Sequence, residues 1–337
     1  MALMSCRPQS LRAFFSWRNP RLRSGVYQLL LVTFVVLVVG FLVSNAFENL
    51  AARHVATGFD FLNNEAGFAI SESIVAYTPA DTYARALGVG LLNTLKVSVV
   101  GVVLATLLGV LVGLARLSPN ILVSGLARFH IELMRNVPLL LQLFFWYALI
   151  TEVAPPPRHA LEWLPGVFMS NRGLLLPAFD FQTMAWSVPV LRGFNFSGGM
   201  TISPEFLALL LGLVLYTSAF IAEIVRSGIQ SVGHGQWLAG RAVGLSERQI
   251  LRWVILPQAL RVMIPPMTSQ YLNLTKNSSL AVAVGYPDIV SIANTTINQT
   301  GQAIEGVLMI MAAYLTISLA IAALMNAYNR RMAGQAR

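Results

Sequence analysis

The chain has 337 residues and a formal net charge of +9; 56% of the residues are hydrophobic and only 11% are charged. Average soluble domains carry about 25% charged residues, and a mean hydropathy of +0.66 leaves too little polar surface to cover a water-soluble globule. The single cysteine, Cys6, excludes a disulfide framework and any multi-cysteine zinc or iron–sulfur site.

Several apolar runs reach the ~20 residues that a helix needs to cross a bilayer. Six spans are predicted in chain order, at 26–46, 86–115, 136–151, 206–226, 259–281 and 305–327. The first follows a basic flank, as a secretory signal would. Its apolar core is too long and no small-x-small cleavage site follows, so it reads as a retained anchor. Lys96, early in the second span, is expected to snorkel toward the outer face. Two outer stretches are long. The first, 47–85, contains Asn63-Asn64, Gly67 and Pro79. The second, 152–205, contains Pro155-Pro156-Pro157, Pro165, Pro177 and Pro189, interleaved with Trp163, Phe168, Phe179, Phe181 and Trp186. Loops of this length are usually functional or disordered; the aromatics favour an ordered cap at the membrane interface.

Arginines set the orientation. With the N-terminus inside, inner segments hold sixteen: Arg7, Arg12, Arg18, Arg21 and Arg23; Arg116, Arg128 and Arg135; Arg226, Arg241, Arg248, Arg252 and Arg261; and Arg330, Arg331 and Arg337. Outer segments hold five: Arg53, Arg85, Arg158, Arg172 and Arg192. The positive-inside rule then places both termini in the cytoplasm. The net charge resolves into +14 inside, −6 outside and +1 within the membrane, so it is a topology signal and implies no affinity for nucleic acid. The only lysines, Lys96 and Lys276, follow Leu95 and Thr275, so neither completes a Gly-Lys-Ser/Thr phosphate loop. If nucleotide energy drives this protein, another chain supplies it.

Charges inside spans are candidates for function. Glu223, near the inner end of span four, has Arg226 at i+3 and lies two helical turns below Tyr216. It reads either as a snorkelling ion pair or as a residue on a translocation path. Lys276-Asn277-Ser278-Ser279, beyond the helix-breaking pair Pro265-Pro266 in span five, will not face lipid; these residues line a cavity or are satisfied by neighbouring helices. His54, His130, His159 and His234 have no metal-ligand spacing, and neither metal nor cofactor is expected.

The inner connection 227–258 is unusually long. Trp237 to Val243 suits a short helix, Gly244 a left-handed turn, and Ser246 a cap for a helix that returns to the membrane through Ile250, Leu251 and Val254. Pro257 is expected to break or kink it. A short helix held between two turns has the shape of a knob for a soluble partner, and Trp237 reads equally as a surface aromatic or as an anchor in such an interface.

This loop resembles the hallmark loop of permease subunits of ATP-binding-cassette importers, Glu-Ala-Ala-x3-Gly-x9-Ile-x-Leu-Pro. Here it runs Leu238-Ala239-Gly240, three residues, Gly244, nine residues, then Val254-Ile255-Leu256-Pro257. The glycine, the spacing and Leu-Pro match; Leu238 and Gly240 depart from the pattern. Four further stretches resemble the polar amino-acid branch of the family: Gly90 to Leu95, Glu132 to Gln142, Tyr216 to Ile224 and Leu274 to Leu280. The long second outer loop and the extra first span look most like the broad-range L-amino acid subgroup.

The resemblance implies an all-α integral membrane protein with the type I importer fold and about six transmembrane helices. Residues 1–85 would hold the N-terminus, first span and outer loop, 86–330 the permease core, and 331–337 a basic tail. It implies a coupling loop built on Gly235, Trp237, Leu238, Ala239, Gly240, Arg241, Gly244, Leu256 and Pro257, and a non-enzymatic subunit of the bacterial inner membrane. The implied partners are a cytoplasmic ATP-binding subunit, a second permease chain, identical or homologous, and a periplasmic amino-acid-binding protein. Where Asn277 stands, resembling permeases often carry an acidic residue, which suits cationic substrates; Asn277 fits zwitterions better. Tyr216, Thr217, Asn277 and Ser278, with Glu223 and Lys276, are thus the candidate substrate contacts. An ion-coupled secondary amino-acid transporter is the alternative, although no internal repeat of the kind it predicts is found. No nucleophile–base pair favours an enzyme.

Overall fold

The structure, a computed structural model, describes residues 20–52, 57–180 and 184–334. Cys6, Arg7, Arg12, Arg18, Arg53, His54, Phe181 and Arg337 lie outside the described residues. The chain divides into two compact units, Met1–Gly58 and Phe59–Arg337. In the first, helix α1 (Pro20–Ala52) is apolar on every side, with Tyr27, Leu31, Phe34, Leu37 and Phe41 all exposed, as expected of a helix whose solvent is lipid.

The second unit opens with an outer segment, 59–82, then runs through α2 (Tyr83–Arg116), α3 (Ile121–Asn136), α4 (Leu139–Ala148) and a π-helical turn to Val153. After the outer cap come α5 (Pro204–Gln230), α6 (His234–Ala242), α7 (Leu256–Asn277), α8 (Ile289–Thr300) and α9 (Ala303–Gly334). Among the described residues, four helices are long and apolar enough to cross a membrane, and there are up to six spans if each of two bent helix pairs counts as one. This bears out the mostly helical, six-span expectation.

Three features depart from the sequence reading. First, an extra helix, α3, precedes span three at an angle of 104°. Val137, held extended before Pro138, makes the break, and Gln142 of α4 closes it by donating from Nε2 to Met134 O at 2.9 Å and Val137 O at 3.0 Å. Second, Pro265 and Pro266 do not break span five but lie inside α7. The real interruption comes later, at the tight turn Ser278–Val284 and Gly285, whose φ of 78° ends the helix. Third, the all-α expectation stops at the outer loop, which apart from a short 3-10 turn at Pro157–His159 is built of strands. Its strands β1 (Leu161–Leu164), β2 (Val167–Ser170), β3 (Gly173–Leu176) and β8 (Met200–Ile202) form one antiparallel sheet in that order, while β4 (Ala178–Asp180) pairs β5 (Ala185–Ser187) and β6 (Val190–Arg192) pairs β7 (Asn195–Ser197). Short β-branched and aromatic runs punctuated by Gly and Pro favour such hairpins.

The main core forms where α2 and α5 cross. Gly101, Ala105, Gly109 and Gly113 recur every four residues along the buried face of α2, and small residues let transmembrane backbones approach closely. The approach is tight: a Cβ on Gly109 would fall 2.6 Å from Ile221 Cβ. A second core, at the outer side, packs Phe61 and Ala66 of the outer segment with Tyr83, Ala86 and Leu87 of α2 and Ile289, Ile292 and Ala293 of α8. Segment 59–82 therefore packs with the helical core.

Candidate functional site

Tyr216, Phe220 and Glu223 occur at i, i+4 and i+7 on α5, one helix face. The Tyr216 and Phe220 rings lie 5.0 Å apart. The Arg135 guanidinium, from the end of α3, lies over Phe220 at 5.1 Å from the ring centroid. Glu223 accepts from Arg226 Nε at 3.1 and 3.0 Å through its two oxygens, and Arg135 and Arg116 add to the positive field around it. The ion pair read from the sequence thus forms, yet about a third of each side chain stays exposed. One carboxylate, the guanidinium groups of Arg226 and Arg135 and two rings gather on α5 and the end of α3, with Arg116 of α2 within electrostatic range, an arrangement that can hold an anionic and a cationic group together. Thr217 is buried beside this face, and its neighbour Ser218 lies 3.2 Å from His130 Nε2.

The four polar residues at the end of α7 part company. Lys276 is exposed and Asn277 half-buried. Ser278 is buried and donates to Thr275 O at 2.7 Å. It also meets Tyr314 of α9, whose hydroxyl donates to Asp288 Oδ2 at 3.3 Å. Ser278 thus has partners in its own helix and in α9. The turn it starts packs against α5, but among the described residues no hydrogen bond joins Tyr216 or Thr217 to Asn277 or Ser278.

At the inner side, α6 spans the connection as a nine-residue helix. Gly244, at φ 81°, closes it with Leu245 N donating to Gly240 O at 3.1 Å and Gly244 N to Arg241 O at 3.0 Å, the paired bonds of a Schellman motif. Ser246 and Gln249 then form a capping box. Arg241 pairs with Glu247 across the turn at 2.6 Å. Gly240 is buried under Ile250, so closely that a Cβ there would fall 2.7 Å from Ile250 Cγ1. Gly235, Leu238, Ala239 and Arg241 are exposed, whereas Trp237 is half-buried and packs on the main core, which makes it a support beneath α6. Leu256 and Pro257 follow a wide π-helical turn, Ile250–Ile255, in a helix whose backbone stays helical from Glu247 onward; the ring of Pro257 and its missing N–H are accommodated by that local widening.

Sequence reasoning misses Arg135 and His130, because Val137-Pro138 reads as a span boundary rather than as a bend that folds α3 onto α5. It also misjudges Lys96. The ammonium does not snorkel freely but pairs with Glu72 at 2.5 Å.

Comparison with known proteins agrees with this geometry. The family described as "Binding-protein-dependent transport system inner membrane component" matches residues 105–334. The chain is 45% identical to the "Putative amino-acid ABC transporter permease protein YhdX" of Escherichia coli (strain K12), over 98% of this chain and 99% of that protein. It is 39% identical to the "General L-amino acid transport system permease protein AapQ" of Rhizobium johnstonii (strain DSM 114642 / LMG 32736 / 3841), over 94% and 93%. Among solved structures, the one described as "Crystal structure of an amino acid ABC transporter with histidines" matches with a TM-score of 0.54 at 26% identity, over 74% of this chain and 95% of that one. An inward-facing MetNI methionine transporter matches in fold, with a TM-score of 0.52 at 17% identity over 74% and 96%. With family, relatives and fold in agreement, the chain belongs to the inner membrane components of binding-protein-dependent transport systems and has the type I importer permease fold.

Proposed function

We propose that the chain is the permease subunit of an ATP-binding-cassette importer that moves L-amino acids, of broad range, across the inner membrane by alternating access. ATP hydrolysis belongs to a separate cytoplasmic subunit that docks on α6. A second permease, homologous or identical, completes the path, and a periplasmic binding protein delivers substrate. The core lies within 86–330, with 227–258 as its coupling loop. The observation that carries this reading is the inner loop: a short helix, closed by the Gly244 turn and the Ser246 capping box, joins directly to α5 on one side and returns to α7 on the other. A push on it moves two spans. The ion-coupled alternative draws no support from the relatives.

For the substrate, Tyr216, Thr217, Glu223, Lys276, Asn277 and Ser278 remain the candidate contacts, joined by Arg135 and Phe220. A zwitterion has a carboxylate for Arg135 and an ammonium for Glu223. The test of function is co-purification and uptake. Replacing Gly244 by Val forces a branched side chain into a left-handed turn and is expected to abolish both association with the ATP-hydrolysing chain and uptake; uptake that persists without any ATPase partner overturns the reading. For the substrate, Asn277→Asp is expected to raise basic over neutral amino-acid uptake by roughly tenfold, equivalent to about 1.4 kcal/mol from one added, partly shielded charge. An unchanged ratio removes Asn277 from the site.

A further inference from the structure

The outer segment 59–82 is folded back on itself. Ala66 N donates to Asp81 O at 2.8 Å, Gly67 N to Pro79 O at 2.9 Å and Tyr83 N to Asn64 O at 3.0 Å, so its base is closed. Its tip is another matter. Of residues 71–76, only Glu72 is not exposed. Away from Glu72, the hydrogen bond between the tip and the helices among the described residues runs from Arg85 of α2 to Ala76 O at 2.6 Å.

Glu72 reaches much further. Its Oε1 lies 2.5 Å from Lys96 Nζ on α2. Its Oε2 accepts from Ser203 Oγ at 2.5 Å, and Ser203 is the N-cap of α5, accepting in turn from Phe206 N at 3.2 Å. Its backbone carbonyl accepts from Asn93 Nδ2 at 2.8 Å, and the same amide donates to Pro287 O at 2.9 Å. Lys96 also stands 4.3 Å from the centre of the Phe206 ring, which packs at 5.6 Å on Tyr286. One glutamate thus joins the outer segment, α2, α5 and the connection before α8, elements that lie far apart in sequence.

Two features make this junction releasable. The ion pair is only partly covered, with 20% of Glu72 and 33% of Lys96 exposed, so water can replace it. Beneath it, Asn93 Oδ1 and the Tyr286 hydroxyl are buried without a hydrogen-bond partner among the described residues, a cost that opening relieves.

We propose that segment 59–82 is a strap fastened across the outer ends of α2 and α5, with Glu72 as its pin, and that the pin releases when the outer side opens during transport. The inference rests on the permease reading for its role in transport, but the fastening can be tested without it. Hydrogen exchange on the purified full chain in lipid nanodiscs reads the strap directly. Glu72→Gln and Lys96→Met are each expected to speed exchange of the amides of Ala66, Gly67 and Tyr83 about tenfold or more, the effect of breaking a half-buried charge pair on local opening. Amides of α6 stay unchanged. The exchanged pair Glu72→Lys with Lys96→Glu restores protection, which a packing defect alone would not allow. Unchanged exchange in both single variants overturns the pin.

The second measurement uses the complete transporter with its ATPase subunit. There, Glu72→Gln is expected to raise ATP hydrolysis in the absence of binding protein and lower the amino acid moved per ATP. A strap that loosens with hydrolysis and uptake unaltered overturns the link to opening. Absence of uptake in the unaltered complex counts against the permease reading instead, because the exchange result stands independently.

Discussion

Gly113 carries no side chain because none fits: a Cβ there would fall 2.8 Å from Ala222 O and 2.8 Å from Val225 Cβ. Neither neighbour yields cheaply, since one is backbone and the other a branched side chain on a buried helix face. Gly125, in α3, has nothing within 4 Å of the same position. Two glycine-to-alanine changes in helices should therefore have opposite signs. Gly113→Ala overpacks the α2–α5 crossing and is expected to cost about 1–3 kcal/mol. Gly125→Ala restricts the unfolded chain without a clash and is expected to gain about 0.4–1 kcal/mol. Thermal unfolding of the two purified variants checks the pair, and shifts of the same sign would remove contact distance as the explanation. At Gly244 the reason for glycine is conformational instead: φ is 81° with open space around it, which the sequence pattern anticipated. The steric demand at Gly109, Gly113 and Gly240 was not legible, because it depends on which residue of a distant helix faces them.

Among the elements, α8 shows how a cap and a buried charge interact. Asp288 is its N-cap, accepting from Ser291 N at 2.8 Å and from the Tyr314 hydroxyl at 3.3 Å. It is 1% exposed, so both donors depend on it for an acceptor. Asp288→Ala leaves them unpaired in a buried place and is expected to cost about 1–3 kcal/mol, read as a lower unfolding temperature; an unchanged unfolding temperature would show that the cap contributes nothing. The cap at Ser246 was readable from its place before an apolar run, while its partner Gln249 came with the structure. The closure of α3 by Gln142 was not, because it requires knowing that the chain bends by 104° at Pro138.

For the whole molecule, most of the helical plan was legible because lipid enforces it: a span must be long, apolar and internally hydrogen-bonded, and each requirement leaves a mark on composition. The outer cap obeys no such rule, and its hairpins became visible only through pairing such as Phe168 with Leu175 and Leu175 with Thr201. The candidate site lay between these cases. Tyr216 and Glu223 could be placed on one helix face from spacing alone, while Arg135 joined them only once α3 folded back. The uneven arginines, finally, do more than label the termini, since they fix which side of the bilayer each of these surfaces faces. In right-side-out membrane vesicles, with Cys6 replaced by serine, a cysteine at Trp163 in the exposed strand β1 is expected to react with a membrane-impermeant thiol reagent. One at exposed Gly235 in α6 is expected to react only after the vesicles are permeabilised. Both positions lie in surface segments, so neither variant disturbs a span. Reaction of Gly235→Cys in sealed vesicles, with Trp163→Cys protected, would invert the orientation and put the α6 knob out of reach of any cytoplasmic ATPase. The expected order ties the charge asymmetry of the sequence to the direction in which the protein can import.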